Sequence, residues 1–323
     1  MSVRSFGNAL ASFRYRFGNT GNRASNPYVE RFSASGGNVA NGAAPGNGYK
    51  YHVFTTPGSF TVSGPPNTGE WLMIGGGGTG GNGDAWNGGG GAGGVVYRST
   101  QSFTPGSYAV YIGAARSAPI SPTNPGSPFF PTHNQVNVGY LGGEDSEFTI
   151  DGYTIYALGG GSGSSRAGPQ PSDFYTTGYT GGSGGGGGTG YPGGPNPPGP
   201  GESTSQPSQN PGVPNLFQYG NAGTPGGPTP TTYAGPGGSA NPSQGTSFAM
   251  SLTPNPTSVL ISGSPVAPYQ FAVGGSGYNY PNSAAGNPGN APATSYGSGS
   301  GGGVNQNPAY LGSPGVLIIM YPE

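Results

Sequence analysis

The chain has 323 residues, of which 71 are glycine and 36 proline, yet only 19 are charged and the net charge is −1. Low charge sets it apart from ordinary disordered chains, which combine low hydrophobicity with high net charge. It has no cysteine, so neither a disulfide nor a thiolate site is available. The glycine runs at 75–78, 88–91 and 184–188 break the every-third-residue rule of collagen.

Charge divides unevenly. Residues 1–50 hold Arg4, Arg14, Arg16, Arg23, Arg31 and Lys50 against a single acid, Glu30, while the remainder carries three basic and nine acidic residues. Such asymmetry points to two jobs. We therefore divide the chain into a basic, aromatic arm, residues 1–48, and a glycine-rich β domain, residues 49–323. The arm contains Phe13-Arg14-Tyr15-Arg16-Phe17, whose period-two alternation fits a strand with one aromatic and one cationic face. Arg4, Phe13, Arg14, Tyr15, Arg16, Phe17, Arg23 and Arg31 are the anchor candidates, because Arg, Tyr and Phe favour protein interfaces. A plain edge strand is the alternative. Nucleic-acid binding is physically conceivable, but five spaced arginines make a thin patch, and no nucleic-acid partner is expected. The first ten residues have no apolar core, so no signal peptide is expected. No stretch reaches the roughly 20 apolar residues of a membrane span, so no membrane insertion is expected.

From residue 49 the texture becomes that of an all-β fold. Residues 49–54 and 59–62 read as strands across a Pro57-Gly58 turn. The apolar run 71–74 enters a glycine run, and Val95-Val96-Tyr97 leaves the next. A Thr-Pro-Gly turn precedes a strand at 108–112. Strands at 147–150 and 154–158 flank Asp151-Gly152, a strong hairpin signal. Residues 159–246 are a long Gly/Pro-rich region, either disordered or ordered in a non-standard way. Strand character returns at 247–252, 258–262 and 270–273. Residues 315–321 read as a fully buried strand that closes the core begun near Phe54.

A glycine run can be a flexible linker, a phosphate cradle, or a polyproline-II-type helix packed closely against others. No Gly-Lys-Ser or Gly-Lys-Thr follows any run, which sets the phosphate cradle aside. The other two readings stand. The expected fold is an all-β, sandwich-like core of short antiparallel strands carrying polyproline-II-type glycine segments and long loops.

Chemistry is sparse. His52 lies in a strand and reads as structural; His133 lies in a Pro/Asn-rich loop. Two histidines without cysteine argue against zinc. The acids Glu144, Asp145, Glu147 and Asp151 do not follow a calcium-loop pattern and read as a solvated hairpin face. No cofactor, metal or catalytic residue is expected, and the chain reads as non-enzymatic.

The ordered motifs carry a resemblance. Residues 54–58, 71–78, the Gly91-Ala92-Gly93-Gly94-Val95-Val96 segment, 103–113 and 315–321 follow one another as in the glycine-rich domain proteins of bacteriophage tail fibres and other virion appendages. The resemblance spans 49–323. It departs in its proline content and in inserts at 114–146 and 162–246. It implies a virion structural protein, located on the particle exterior, with other virion proteins, further copies of itself (a trimer being one form) and a host-surface glycan or outer-membrane protein as partners. Tyr175, Tyr179, Tyr191, Tyr219, Tyr233 and Tyr278 are the host-contact candidates, since tyrosine gives amphipathic contact area at low entropy cost. A capsid decoration protein without receptor specificity is the alternative.

Overall fold

A computed structural model describes residues 30–38, 40–42, 44, 48–81, 87–114, 142–167, 174–176, 178–188, 198–227, 234–240, 260–261, 264–265, 271–275, 277, 296–302 and 311–323. Among them the chain forms fourteen short strands and no α-helix. The strands are β1 (Ser33–Ser35), β2 (Tyr49–Phe54), β3 (Gly58–Ser63), β4 (Asn67–Ile74), β5 (Val95–Phe103), β6 (Gly106–Tyr111) and β7 (Ser146–Ile150). They continue with β8 (Tyr153–Ala157), β9 (Ser165–Ala167), β10 (Phe174–Thr176), β11 (Phe217–Tyr219), β12 (Leu260–Ile261), β13 (Ser264–Pro265) and β14 (Val316–Pro322).

Two five-stranded antiparallel sheets stack as a sandwich. The first runs β1-β3-β6-β7-β8 and the second β11-β5-β4-β14-β2. In β3 the alternation is clean, with Phe60 and Val62 buried and Ser59, Thr61 and Ser63 exposed, as expected of a sheet with one solvated face. Between the sheets lie Phe54, Phe60, Trp71, Phe103, Phe148 and Leu317, among others. Trp71 meets Phe148 edge-on at 5.5 Å and Phe60 meets Phe103 at 5.4 Å, an arrangement aromatic rings prefer. Each fully buried side chain of this size contributes about 1.5–3 kcal/mol.

At its centre, in β14 and residues 70–74 of β4, the second sheet is buried on both faces. Leu317, Ile319 and Tyr321 of β14 point into the sandwich. Val316, Ile318 and Met320 point the other way, against Leu72, Ile74, Val95 and Phe271. That is why residues 316–321 are an unbroken apolar run. As expected, β14 closes the core: it sits between β4 and β2, with Leu317 opposite both Met73 and Phe54. The Asp151-Gly152 hairpin also forms as expected, with φ of 55° and 78° at the two turn residues, the backbone that selects Asp-Gly there.

Three expectations on strands change. β5 runs six residues past Tyr97, because Arg98 and Gln101 are buried by pairing rather than left in solvent. Arg98 Nη1 bonds Gln101 Oε1 at 2.6 Å and Asp151 Oδ2 at 3.0 Å, and Trp71 Nε1 donates to Gln101 Oε1. This clasp ties β4 and β5 to the β7–β8 turn across the sandwich. β11 forms inside the Gly/Pro-rich region, where no strand is expected from composition. Residues 271–273 are not a strand: Ala272 N–H donates to Tyr296 and its carbonyl accepts from Ala240. The expected strand at 247–252 lies outside the described residues.

Beyond the sandwich, the glycine runs pack side by side as a bundle. In segment 87–94, Gly88, Gly91 and Gly94 donate to Ser164, Gly161 and Leu158. Gly89 and Ala92 donate to Gly235 and Gly238, while Gly90 and Gly93 donate to Ser300 and Gly297. Its carbonyls accept from residues 75–81, 183–186 and 275. Donors three apart thus reach the same neighbour, which is the three-residue period of a polyproline-II helix. The described glycine runs are therefore hydrogen-bonded structure rather than linker. Close approach is possible because there are no side chains at the contacts: a Cβ on Gly93 would lie 2.0 Å from the Gly75 carbonyl oxygen.

Candidate functional site

The bundle has two different ends. At one, residues 75, 94 and 158 follow or precede β4, β5 and β8, and are bonded together by Gly75 N–H to Gly94 and Gly94 N–H to Leu158. Six residues further along each segment, Gly81 donates to Gly88, Gly88 to Ser164, and Ser164 to Gly186. At about 3.1 Å per residue the bundle stands about 20 Å off the sheets. The described residues on either side of 82–86, 165–177, 189–197 and 228–233 lie at this far end, where Gly226 donates to Gly199 and Gly235 to Gly187.

This topology sorts the tyrosine candidates. Tyr175 lies in β10, opposite Arg166 of β9, in the hairpin that tops the far end. Tyr191 and Tyr233 fall within two of the far-end connections, and Tyr278 follows Gly277; these three lie outside the described residues. Tyr179 is half-buried in the bundle, donating its N–H to Ser162. Tyr219 sits on β11 at the edge of the second sheet, against its outer core, and does not share the far-end surface. Of the anchor candidates, Arg31 is exposed two residues before β1. Arg4, Phe13, Arg14, Tyr15, Arg16, Phe17 and Arg23 lie outside the described residues.

The polar groups of the sandwich are mostly fasteners. His52 is fully buried; its Nδ1–H donates to the Gly36 carbonyl at 2.8 Å, which leaves Nε2 to accept from Tyr321 Oη at 2.9 Å. Burial lowers its pKa below the ordinary value, so the neutral ring is the native form. Glu70 accepts from Tyr97 Oη, and burial pushes its carboxyl upward. Asn210 behaves as a strand mimic, taking the Tyr156 N–H and donating to the Tyr156 carbonyl. It closes the open edge of β8, the kind of edge that otherwise invites aggregation.

The acidic cluster disperses. Asp151 pairs with Arg98, Asp145 accepts the Gly159 N–H at 2.7 Å, and Glu144 accepts from Tyr111 Oη at 3.1 Å. Among the described residues no group of three or more His, Cys, Asp or Glu is arranged to hold a metal. Glu147 alone faces outward on the first sheet, between Tyr111 of β6 and Tyr156 of β8 in register. Sequence reading misses this row, because the pairing of β6 with β7 joins segments far apart in the chain.

The model of the glycine-rich domain matches residues 55–322. The chain belongs to the glycine-rich domain family. No curated protein matches its sequence. In this glycine-rich domain the matched region takes in the whole described bundle and every strand from β3 to β14. β2 lies just before the match, yet it completes the second sheet against β14. The domain's boundary in sequence thus cuts through a single core.

Proposed function

We propose that this glycine-rich domain is a non-enzymatic structural module of a bacteriophage tail fibre or adhesin. The basic stretch ahead of β1 docks on another virion protein, β1 itself being part of the sandwich, the sandwich and bundle form a stiff stalk, and the far-end connections touch the host surface. The observation that supports this most is the gathering of four connections at the end of the bundle away from the sheets. Glycine helices locked by backbone hydrogen bonds fix where those connections begin and end without using side chains, so their sequence is free to serve binding. Tyr191 and Asn196 in 189–197, and Tyr233 in 228–233, are residue types that suit adaptable contacts. A small apolar core for the chain's length favours assembly with further copies.

The test is to replace residues 189–197 and 228–233 by short Gly-Ser connections in phage particles. Particles should assemble at normal yield and fail to adsorb. Normal adsorption would remove the adhesin role. Hundreds of copies over the head would favour capsid decoration instead.

A further inference from the structure

The outward face of β6, β7 and β8 carries a second surface that the far-end loops do not explain. Tyr111 stands opposite Glu147, and Glu147 opposite Tyr156, so a ring, a carboxylate and a ring lie in one row across three strands. With strands about 4.8 Å apart, the two rings are about 10 Å from each other. Tyr111 is 44% exposed, and its hydroxyl is held by the Glu144 carboxylate at 3.1 Å. One step along the strands, Thr149 and Thr154 face each other with hydroxyls 3.1 Å apart.

A cross-strand tyrosine–glutamate row also stabilises a sheet, but that role does not need a ring left nearly half in water. The chemistry of the surroundings narrows the occupant. β3, β6, β7 and β8 contribute no lysine or arginine, while Glu144 and Glu147 line the row. Polyanions such as nucleic acid or acidic lipid would meet only carboxylates and hydroxyls. Two tyrosine rings separated by about the length of a disaccharide suit the apolar C–H faces of pyranose rings. The threonine hydroxyls can donate and accept between them, and a carboxylate accepts strong hydrogen bonds from sugar hydroxyls.

We infer that this face, centred on Tyr111, Glu147 and Tyr156, binds a neutral polysaccharide chain laid across β6, β7 and β8. The binding does not depend on the far-end connections, so loss of adsorption by loop replacement and loss of glycan binding by face variants are separate results. Burial and the neighbouring Asp145 raise the Glu147 pKa, which leaves that carboxyl able both to donate and to accept as pH falls.

The test is affinity electrophoresis of the full chain through native gels cast with dextran, galactomannan or hydroxyethylcellulose, with alginate and heparin gels as anionic controls. At least one neutral gel should retard the protein. Tyr111→Ala with Tyr156→Ala should weaken that retardation about tenfold, as expected for two lost stacking contacts. Glu147→Gln should weaken it less, and Tyr153→Ala, at the β7–β8 turn, should leave it unchanged. Tyr111→Ala alone serves as the second variant, since so exposed a ring contributes little to folding, and equal urea midpoints confirm that the variants remain native. Absence of retardation in every neutral gel, retardation only in the anionic gels, or full retardation of the folded double variant would overturn the inference.

Discussion

Replacing Gly91 by alanine tests whether the bundle is held by close backbone contact. Gly91 donates to Gly161 at 2.7 Å and accepts from Gly78 at 2.8 Å. A methyl there would lie 2.2 Å from the Ser183 carbonyl oxygen and 2.7 Å from that of Gly184. Those atoms are backbone, so the whole segment must move by more than an ångström to restore ordinary contact. Overpacking of this kind costs about 1–3 kcal/mol. Stretching the two hydrogen bonds adds about 0.5–1.5 kcal/mol each, for a total of about 2–6 kcal/mol. In a chain of this size the melting temperature should fall by roughly 3–9 °C. The neighbouring Ala92 shows that the effect is positional, since its methyl packs in the apolar cluster on the outer face of the second sheet. Gly58→Ala is the control, because its Cβ would meet only the Phe54 ring at 3.6 Å; it should leave the melting temperature within about 2 °C. Equal melting temperatures for the two variants would refute the packing argument.

Stability should fall as pH drops from 7 to 5. The unfolded chain protonates His52 near 6.5, whereas the native pKa is lowered, so unfolding binds the proton first and is favoured through that window. Glu70, whose native pKa is raised, acts in the opposite sense at lower pH, so the His52→Gln variant should show a flatter urea-midpoint profile between pH 7 and 5. Asn210→Ala removes two hydrogen bonds from Tyr156 and opens the β8 edge. It should cost about 1–3 kcal/mol in urea titration and raise light scattering on concentration.

The sandwich was largely legible in the sequence, for a physical reason. Period-two alternation in 58–63, the Asp-Gly turn and the apolar run at 316–321 each mark local geometry that burial then uses. Where a strand is buried by polar pairing, as at Arg98 and Gln101, the pattern is silent, because Asp151 lies 53 residues away from Arg98. The bundle was legible as a possibility only. Glycine permits close packing, but the residues carry no side chain that names a partner, so nothing in 87–94 says that it will bond to 158–164 or to 296–302. The candidate surfaces divide the same way. Tyrosines in loops can be guessed from composition, whereas the row Tyr111, Glu147 and Tyr156 exists only once β6, β7 and β8 are in register.

The position of β14 also dictates when the protein can exist. His52 and Tyr321, which bond to each other, are separated by 269 residues. At about 5–20 residues per second, β2 leaves the ribosome tens of seconds before the strand that must lie beside it. Throughout that interval β2 and β4 present bare edges to each other across an empty strand position, and the faces that will carry Leu317 and Ile318 remain wet. Synthesis thus imposes a waiting period in which the most aggregation-prone part of the chain is also the part made first.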